Sequence, residues 1–357
     1  MNYSIWKIKL KPKSSFLTPI QSDTLFGSMI WALKMIEGEE FIETLVEETK
    51  NYNPPFIFSN PIINGNYPIF GELSKEFLDE IDNVKLKEFD RKKIEFYKAI
   101  KKKKYISRGV FEELLNGKKL EQIYLDVLEG KRDFSNLEKR KSLRNPSNPK
   151  INENFLEEIL NGKTDENKII NESRKSFIIE GRIRNQINRL GTIKEEENDT
   201  RLFEQNEIRF LEETEIEIFV KIRDNFDIKK FENGLKYISF NGYGKSASTG
   251  KGQFEIIEMK QEEIFNKRKD KGNFIVLSNY IPNEEDNIEV INSNLLTKKP
   301  KAYMTENPFK NYFICYTEGS YFKGKSDLIK GRVLENLKID DNKSIQCLIP
   351  FVVGVDN

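Results

Sequence analysis

Apolar and polar positions divide the chain into three stretches. Tyr3, Ile5, Trp6, Ile8 and Leu10 read as an opening strand with two partly buried faces, which Thr18-Pro19 interrupts. Leu25, Phe26, Met29, Ile30, Leu33 and Ile36 then recur at helical spacing, with Ser22 or Asp23 placed to cap the helix and Gly38 to end it. Phe56 to Ile69, with its prolines and Asn64-Gly65, predicts a short hairpin or irregular strands. From about Ser74 to Ser176 helical fragments such as Phe111-Glu-Glu-Leu-Leu115 lie in dense charge without a clear core stripe. That stretch reads as an insertion projecting from the main body, with Asn145-Pro-Ser-Asn-Pro149 as an exposed loop.

The pattern then sharpens. Phe177 to Ile187 predicts a strand and Lys194 to Thr200 a loop. Ile216, Ile218, Val220 and Ile222 alternate as a strand does, and Ile228, Phe231, Leu235 and Ile238 share one helix face. Beyond Gly242 to Gly252, Phe254 and Ile256 open another strand. With the opening strand and helix this gives β-α-β…β-α-β, a ferredoxin-like (RRM-like) unit over 1–260 carrying an insertion at about 74–176. Gln261 to Lys271 reads as a charged linker. A smaller unit over 272–357 follows, with strands at Phe274-Ile-Val-Leu-Ser278, Asn311 to Tyr316 and Ile345 to Val355. The expected class is α+β, with two ferredoxin-like domains, the second reduced.

Composition narrows the chemistry. The chain has no histidine, which removes Ser-His-Asp and Cys-His nucleophile systems, imidazole-dependent zinc sites and histidine-based ribonucleases. Its two cysteines, Cys315 and Cys347, make no disulfide framework and are expected reduced and buried. No apolar run approaches the roughly 18 residues a membrane span needs, and Met1 to Lys13 has no signal-peptide pattern, so a cytoplasmic location is expected. Net charge is only +1, so any binding to a polyanion must come from local basic patches. Candidates are Lys98 with Lys101 to Lys104, Lys139 to Arg144, and Arg182 with Arg184 and Arg189; any one run taken alone reads first as a solvated face.

The most distinctive segment is Gly242-Tyr-Gly-Lys-Ser-Ala-Ser-Thr-Gly-Lys-Gly252. Its glycines admit positive φ and close backbone approach, while Lys245, Lys251, Ser246, Ser248 and Thr249 suit phosphate and ribose contacts. A nucleotide-binding P-loop would need glycine where Ser239 stands and would lie between a strand and a following helix; this loop follows a helix and precedes a strand. The Gly242-x-Gly244-x-x-Ala247 spacing fails as a dinucleotide fingerprint on the same context. A wide glycine turn without a ligand is the remaining alternative.

The loop resembles the C-terminal glycine-rich loop of the repeat-associated mysterious proteins (RAMPs), the CRISPR RNA-binding superfamily. Three further segments narrow the resemblance to the subunit-four family of the type III-A Csm effector complex: Thr18-Pro-Ile-Gln-Ser-Asp-Thr-Leu-Phe-Gly27; Asn185-Gln-Ile-Asn-Arg-Leu-Gly-Thr192 with Leu202-Phe-Glu204; and Leu277-Ser-Asn-Tyr-Ile-Pro282. They fall in the family's order and leave the charged insertion and the C-terminus thinly covered. The resemblance implies a non-catalytic subunit of paired ferredoxin-like domains. It would hold the 5′ repeat-derived handle of the guide RNA, cap the backbone filament, and contact the large polymerase-like subunit and the backbone RAMP subunit. An inserted hairpin, the thumb, would belong within 74–176. It implies no cofactor and no metal.

On that footing the RNA-contacting residues are expected to be Gly242, Tyr243, Gly244, Lys245, Ser246, Ser248, Thr249, Gly250 and Lys251 in the loop; Arg182, Arg184, Asn185, Asn188 and Arg189 on a sheet face or adjoining loop; and Gln21, Ser22 and Asp23 where the first helix begins. Several have structural alternatives. Asp23 would serve as an N-cap, Asn185 and Asn188 would cap turns around Gly191, and Tyr243 would either stack on a base or pack beneath the loop. An endoribonuclease that processes guide RNA is the competing reading, with lysine or tyrosine replacing histidine.

Overall fold

The computed structural model describes residues 2–74, 76–77, 103–128, 176–186, 201–265, 268, 271–302, 309–335, 337 and 345–356. The first unit is an antiparallel sheet threaded by two interleaved β-α-β connections. Strand β1 (Tyr3–Pro12) lies between β8 (Ile216–Arg223) and β9 (Phe254–Gln261), antiparallel to both. On its other side β8 pairs with β2 (Phe56–Phe58) and β3 (Ile62–Ile63). The edge continues through β4 (Asn66–Pro68) and β5 (Tyr105–Ser107). Helix α1 (Ser22–Glu37) joins β1 toward β2 by way of α2 (Glu39–Lys50), and α5 (Ile228–Asn241) joins β8 to β9.

Alternation along β1 and β8 builds two cores on opposite faces of one sheet. Ile8, Leu10, Ile216, Ile218, Val220 and Ile222 point toward the helices and pack with Met29, Leu33, Phe231 and Leu235. On the other face Ile5 and Phe219 join a second core with Tyr67, Phe111, Ile275 and Phe351. Phe219 meets Phe265 edge-on at 4.9 Å and is fully buried. A buried phenylalanine of this kind contributes about 2–3 kcal/mol from area alone.

Local signals end the helices where the chain must turn. Asp227 caps α5 by accepting a hydrogen bond from Lys229 N at 2.9 Å. Gly242, at φ 92°, closes the same helix by donating to Ile238 O at 2.8 Å. At α1 the N-cap is Gln21, without a side-chain cap; Asp23 lies inside the first turn, so its expected capping role is not the one it plays.

Three readings of the chain change here. Residues 39–50, not assigned from sequence, form α2, whose Ile42, Leu45 and Thr49 are buried behind a glutamate-rich face. The stretch 103–128 belongs to the core instead of projecting from it. There β5, α3 (Arg108–Leu115) and α4 (Leu120–Leu128) bury Val110, Phe111, Leu114, Leu115, Ile123 and Tyr124. Phe265, within the expected linker, packs between Phe219 and Phe351. Apart from Ser74, Glu76, Phe77 and Ser176, the remainder of the insertion, including Lys98, Lys139 to Arg144 and the Asn145–Pro149 loop, lies outside the described residues.

A long ribbon of β6 (Phe177–Gln186) and β7 (Arg201–Phe210) stands apart from the main sheet, joined to it through the Phe16–Ile208 bridge. The C-terminal stretch forms a sheet in the order β11 (Glu289–Asn292), β14 (Tyr321–Lys323), β10 (Asn273–Val276), β17 (Val352–Val355). Two ribbons flank it: β12 (Leu295–Lys298) with β13 (Phe313–Tyr316), and β15 (Arg332–Leu334) with β16 (Gln346–Leu348). Pro350 separates β16 from β17, so the closing strand read from Ile345 to Val355 is two. Among the described residues this C-terminal stretch carries no helix, so the helices of a second ferredoxin-like unit are not among them. Cys315 and Cys347 are free and buried, and burial pushes both thiols up to about 12. No described helix is long and apolar enough to cross a membrane.

Candidate nucleic-acid interface

The glycine-rich loop is a platform held by its own backbone hydrogen bonds. Tyr243 N donates to Gly252 O at 2.9 Å and Gly252 N to Ser15 O at 2.9 Å, tying both ends of the loop to the turn after β1. A Cβ on Gly242 would overlap the Lys251 carbonyl, and one on Gly252 the Tyr243 carbonyl, so neither position admits a side chain. Ser246 adopts φ 61° before a 3-10 turn over Ala247–Thr249. There Thr249 N and Lys251 N donate to Ser246 O, and Gly250 N to Ala247 O. Lys245 N donates to Thr18 Oγ1 at 2.9 Å. Most of the loop's N–H groups are therefore spent on its own shape.

Exposed chemistry concentrates at the tip, in Lys245, Ser248, Thr249 and Gly250. Tyr243 is buried beneath it. Its hydroxyl donates to Pro19 O at 3.1 Å and accepts from Gln21 N at 3.3 Å, and its ring lies 6.2 Å from Phe16. Of the two roles open to Tyr243 from sequence, the structure gives packing.

Lys251 is not at the tip either. Its Nζ lies 2.6 Å from Glu207 Oε2 and 2.7 Å from Ser15 Oγ. Glu207, fully buried on β7, also accepts from Ser15 Oγ at 2.7 Å and from Arg184 Nη2 at 2.9 Å, with Arg182 Nε at 3.6 Å. Burial pushes the Glu207 carboxyl up, but the hydrogen bonds from Lys251, Ser15 and Arg184 outweigh it and bring it down to about 2. Glu207 thus gathers three of the expected RNA-contacting cations around one anion, a role the sequence did not reveal. The signal was its place on the same ribbon face as Arg182 and Arg184, legible only once the register of β6 on β7 is known. Arg182 and Arg184 stay roughly half exposed, so each keeps donors toward solvent. Asn188 and Arg189, and the side chain of Asn185, lie outside the described residues.

Ser22 and Asp23 face inward. Ser22 N donates to Asn60 Oδ1 at 2.8 Å, and Asn279 N donates to Ser22 Oγ at 3.0 Å. Asp23 accepts from Asn279 Nδ2 at 2.8 Å, Lys298 Nζ at 2.7 Å and Gln346 Nε2 at 2.5 Å. Both are buried, and their polar atoms join α1 to the C-terminal sheet and ribbons. Gln21 alone of this group is partly exposed.

A mixed α/β chain on antiparallel sheets, with a glycine platform beside a long ribbon, defines the class structurally. Solved structures share that fold. A chain of the Csm3–Csm4 subcomplex in the type III-A CRISPR-Cas interference complex matches with a TM-score of 0.54 at 19% identity, over 99% of this chain and 100% of that one. Chains of the Csm1–Csm4 cassette in complex with pppApA and with cA4 match with TM-scores of 0.53 and 0.54 at 15% identity, over 99% of this chain and 98% of those. No family model matches the sequence, and no curated protein does.

Proposed function

We propose that the chain is a Csm4-type RAMP subunit of a type III-A CRISPR effector complex, holding the 5′ handle of the guide RNA without cutting it. On this reading residues 1–260 are a ferredoxin-like RAMP domain, and 272–357 a reduced second domain of the same kind. The strand order β9-β1-β8-β2, with helices bridging alternate strands, supports the first assignment. Its partners are the guide RNA, the large polymerase-like subunit and the backbone RAMP subunit, in the cytoplasm. Whole-chain likeness to subunits of Csm3–Csm4 and Csm1–Csm4 assemblies supports the setting.

The observation that carries the role is the exposed tip Lys245–Gly250 on a hydrogen-bonded base whose Gly242 and Gly252 leave no room for a side chain. The Lys245 ammonium and the Ser248 hydroxyl suit phosphate groups of a single strand, and the Thr249 hydroxyl, whose proton goes to Ser246 O at 2.9 Å, can accept from a 2′-hydroxyl. With no histidine in the chain, general acid–base cleavage has no ordinary donor.

The test measures assembly of the reconstituted complex on labelled guide RNA with and without its 5′ handle, comparing wild type with Lys245→Ala and Lys245→Glu. Weaker handle-dependent assembly with unchanged folding supports the grip. Equal assembly in all three sinks it. Incubating the purified chain with repeat RNA checks the absence of cleavage, which a discrete shorter product would disprove.

A further inference from the structure

We infer that the outer face of the β12–β13 ribbon is a second binding surface for single-stranded RNA, separate from the glycine loop. The ribbon's two faces differ. Leu296, Phe313 and Cys315 point inward and pack with Leu348, and Lys298 reaches Asp23 at 2.7 Å. On the opposite face Tyr312 is 67% exposed and Ile314 62% exposed, with Phe309 beside them at 46%. Lys299 Nζ stands 4.7 Å from the ring centroids of both Phe309 and Tyr312, and Lys301 Nζ is 4.3 Å from Phe309.

Charge selects the occupant. Residues 295–301 and 309–316 carry four lysines and no acidic residue, in a chain whose net charge is only +1. Lys298 and Lys310 are turned into the fold, where Lys310 Nζ donates to Ile345 O at 3.1 Å. Lys299 and Lys301 remain on the surface, held over aromatic faces. Exposed rings interleaved with ammonium groups are the parts of a sequence-tolerant single-strand site: a base stacks on the ring, and the lysine swings to the neighbouring phosphate. The excess of lysine over acid in these two segments favours a polyanion over a protein surface of mixed charge.

This surface does not depend on the glycine loop being the handle grip, and the experiment separates the two. The full-length chain is titrated against a labelled oligouridylate of about 12 nucleotides, which lacks any handle sequence, over a range of salt concentrations. The expected result is that Phe309→Ala with Tyr312→Ala weakens binding about tenfold, while Tyr312→Trp preserves it. Lys299→Ala with Lys301→Ala lowers the salt slope by about 1.4, the value for two phosphates of a single strand. Matched melting temperatures exclude loss of fold. Wild-type failure to bind, or ribbon variants that bind as wild type does, overturns the inference. Ribbon variants that keep RNA affinity but shed a protein subunit from the complex also overturn it, identifying a protein-docking face. A loss confined to Lys245→Ala overturns the ribbon site and leaves the loop standing.

Discussion

Lys251 Nζ and Glu207 Oε2, 2.6 Å apart, clamp the glycine loop onto the β6–β7 ribbon. The pair is nearly shut off from solvent, with side-chain exposures of 15% and 1%. In such surroundings, removing Lys251 costs more than an exposed ion pair is worth, because the buried Glu207 carboxylate loses its shortest cation contact and keeps only Arg184, Ser15 and the longer Arg182 contact. Lys251→Ala is therefore expected to destabilise the chain by about 3 kcal/mol, where Lys245→Ala changes stability by less than about 0.5 kcal/mol. Urea unfolding of the two variants checks the contrast, and equal midpoints would refute it.

Acid stability follows from the same carboxyl. Glu207 titrates near 2 in the folded chain against an ordinary value of 4.5, so its contribution is complete above about 4.5 and is lost as pH falls toward 2. Glu207→Gln is expected to lower stability at neutral pH and to flatten the decline between about pH 4.5 and 2. Melting temperatures of wild type and variant across that window measure the effect; parallel curves would contradict it.

The loop's glycines are not equivalent. Gly252 has φ 73°, and a Cβ there would run into the Tyr243 carbonyl; Gly250 has φ 78° but nothing within 4 Å of a Cβ. Gly250→Ala is expected to cost about 1 kcal/mol from backbone strain alone. Gly252→Ala must also displace the backbone and is expected to cost at least twice that, with loss of handle-dependent assembly. Similar penalties at both positions would mean the loop is soft.

How much of this was legible in the sequence depended on where the information lay. Period-two runs at Ile216–Ile222 and the stripe at Leu25–Leu33 specify buried faces directly, and the strands and helices they predict are present. Helix α2 was obscured because Phe41, Ile42, Leu45 and Val46 sit among glutamates that keep the opposite face solvated. Residues 103–128 were obscured differently: Val110, Phe111, Leu114 and Leu115 have helical spacing, but the lysine run before them suggests a solvated arm. For the site, the loop's glycines and Lys245 could be read off the chain. The inward turns of Ser22, Asp23 and Lys251 could not, since their partners Asn279, Lys298 and Glu207 come from distant segments and are fixed only by tertiary packing.

Asp23 is the joint between α1 and the C-terminal stretch. With Lys298, Gln346 and Asn279 all donating to it, Asp23→Ala leaves the nearly buried Lys298 ammonium with only Thr24 Oγ1, at 2.8 Å, and deprives two amides of their carboxylate acceptor. A loss of about 3–5 kcal/mol is expected. Asp23→Asn keeps the shape but not the charge and should fall between that variant and wild type. Hydrogen exchange at 273–276 and 346–348 reads the joint, since its loosening would deprotect those strands first. Unchanged exchange there would show that the apolar core alone holds the two parts together.

Tyr243 separates a structural role from a recognition role within the loop. Its ring is buried and its hydroxyl serves both Pro19 O and Gln21 N. Tyr243→Phe leaves those two backbone groups without that partner, an expected cost of about 1–2 kcal/mol. Tyr243→Ala adds a cavity beneath the platform and is expected to cost about 3–5 kcal/mol. Neither substitution touches a surface that RNA can reach, so Tyr243→Phe should bind guide RNA as wild type does at temperatures where both are folded. Fluorescence anisotropy with labelled guide RNA measures this. A tenfold loss of affinity in Tyr243→Phe without loss of fold would mean that the ring or its hydroxyl emerges to meet the RNA, and that the loop opens when it binds.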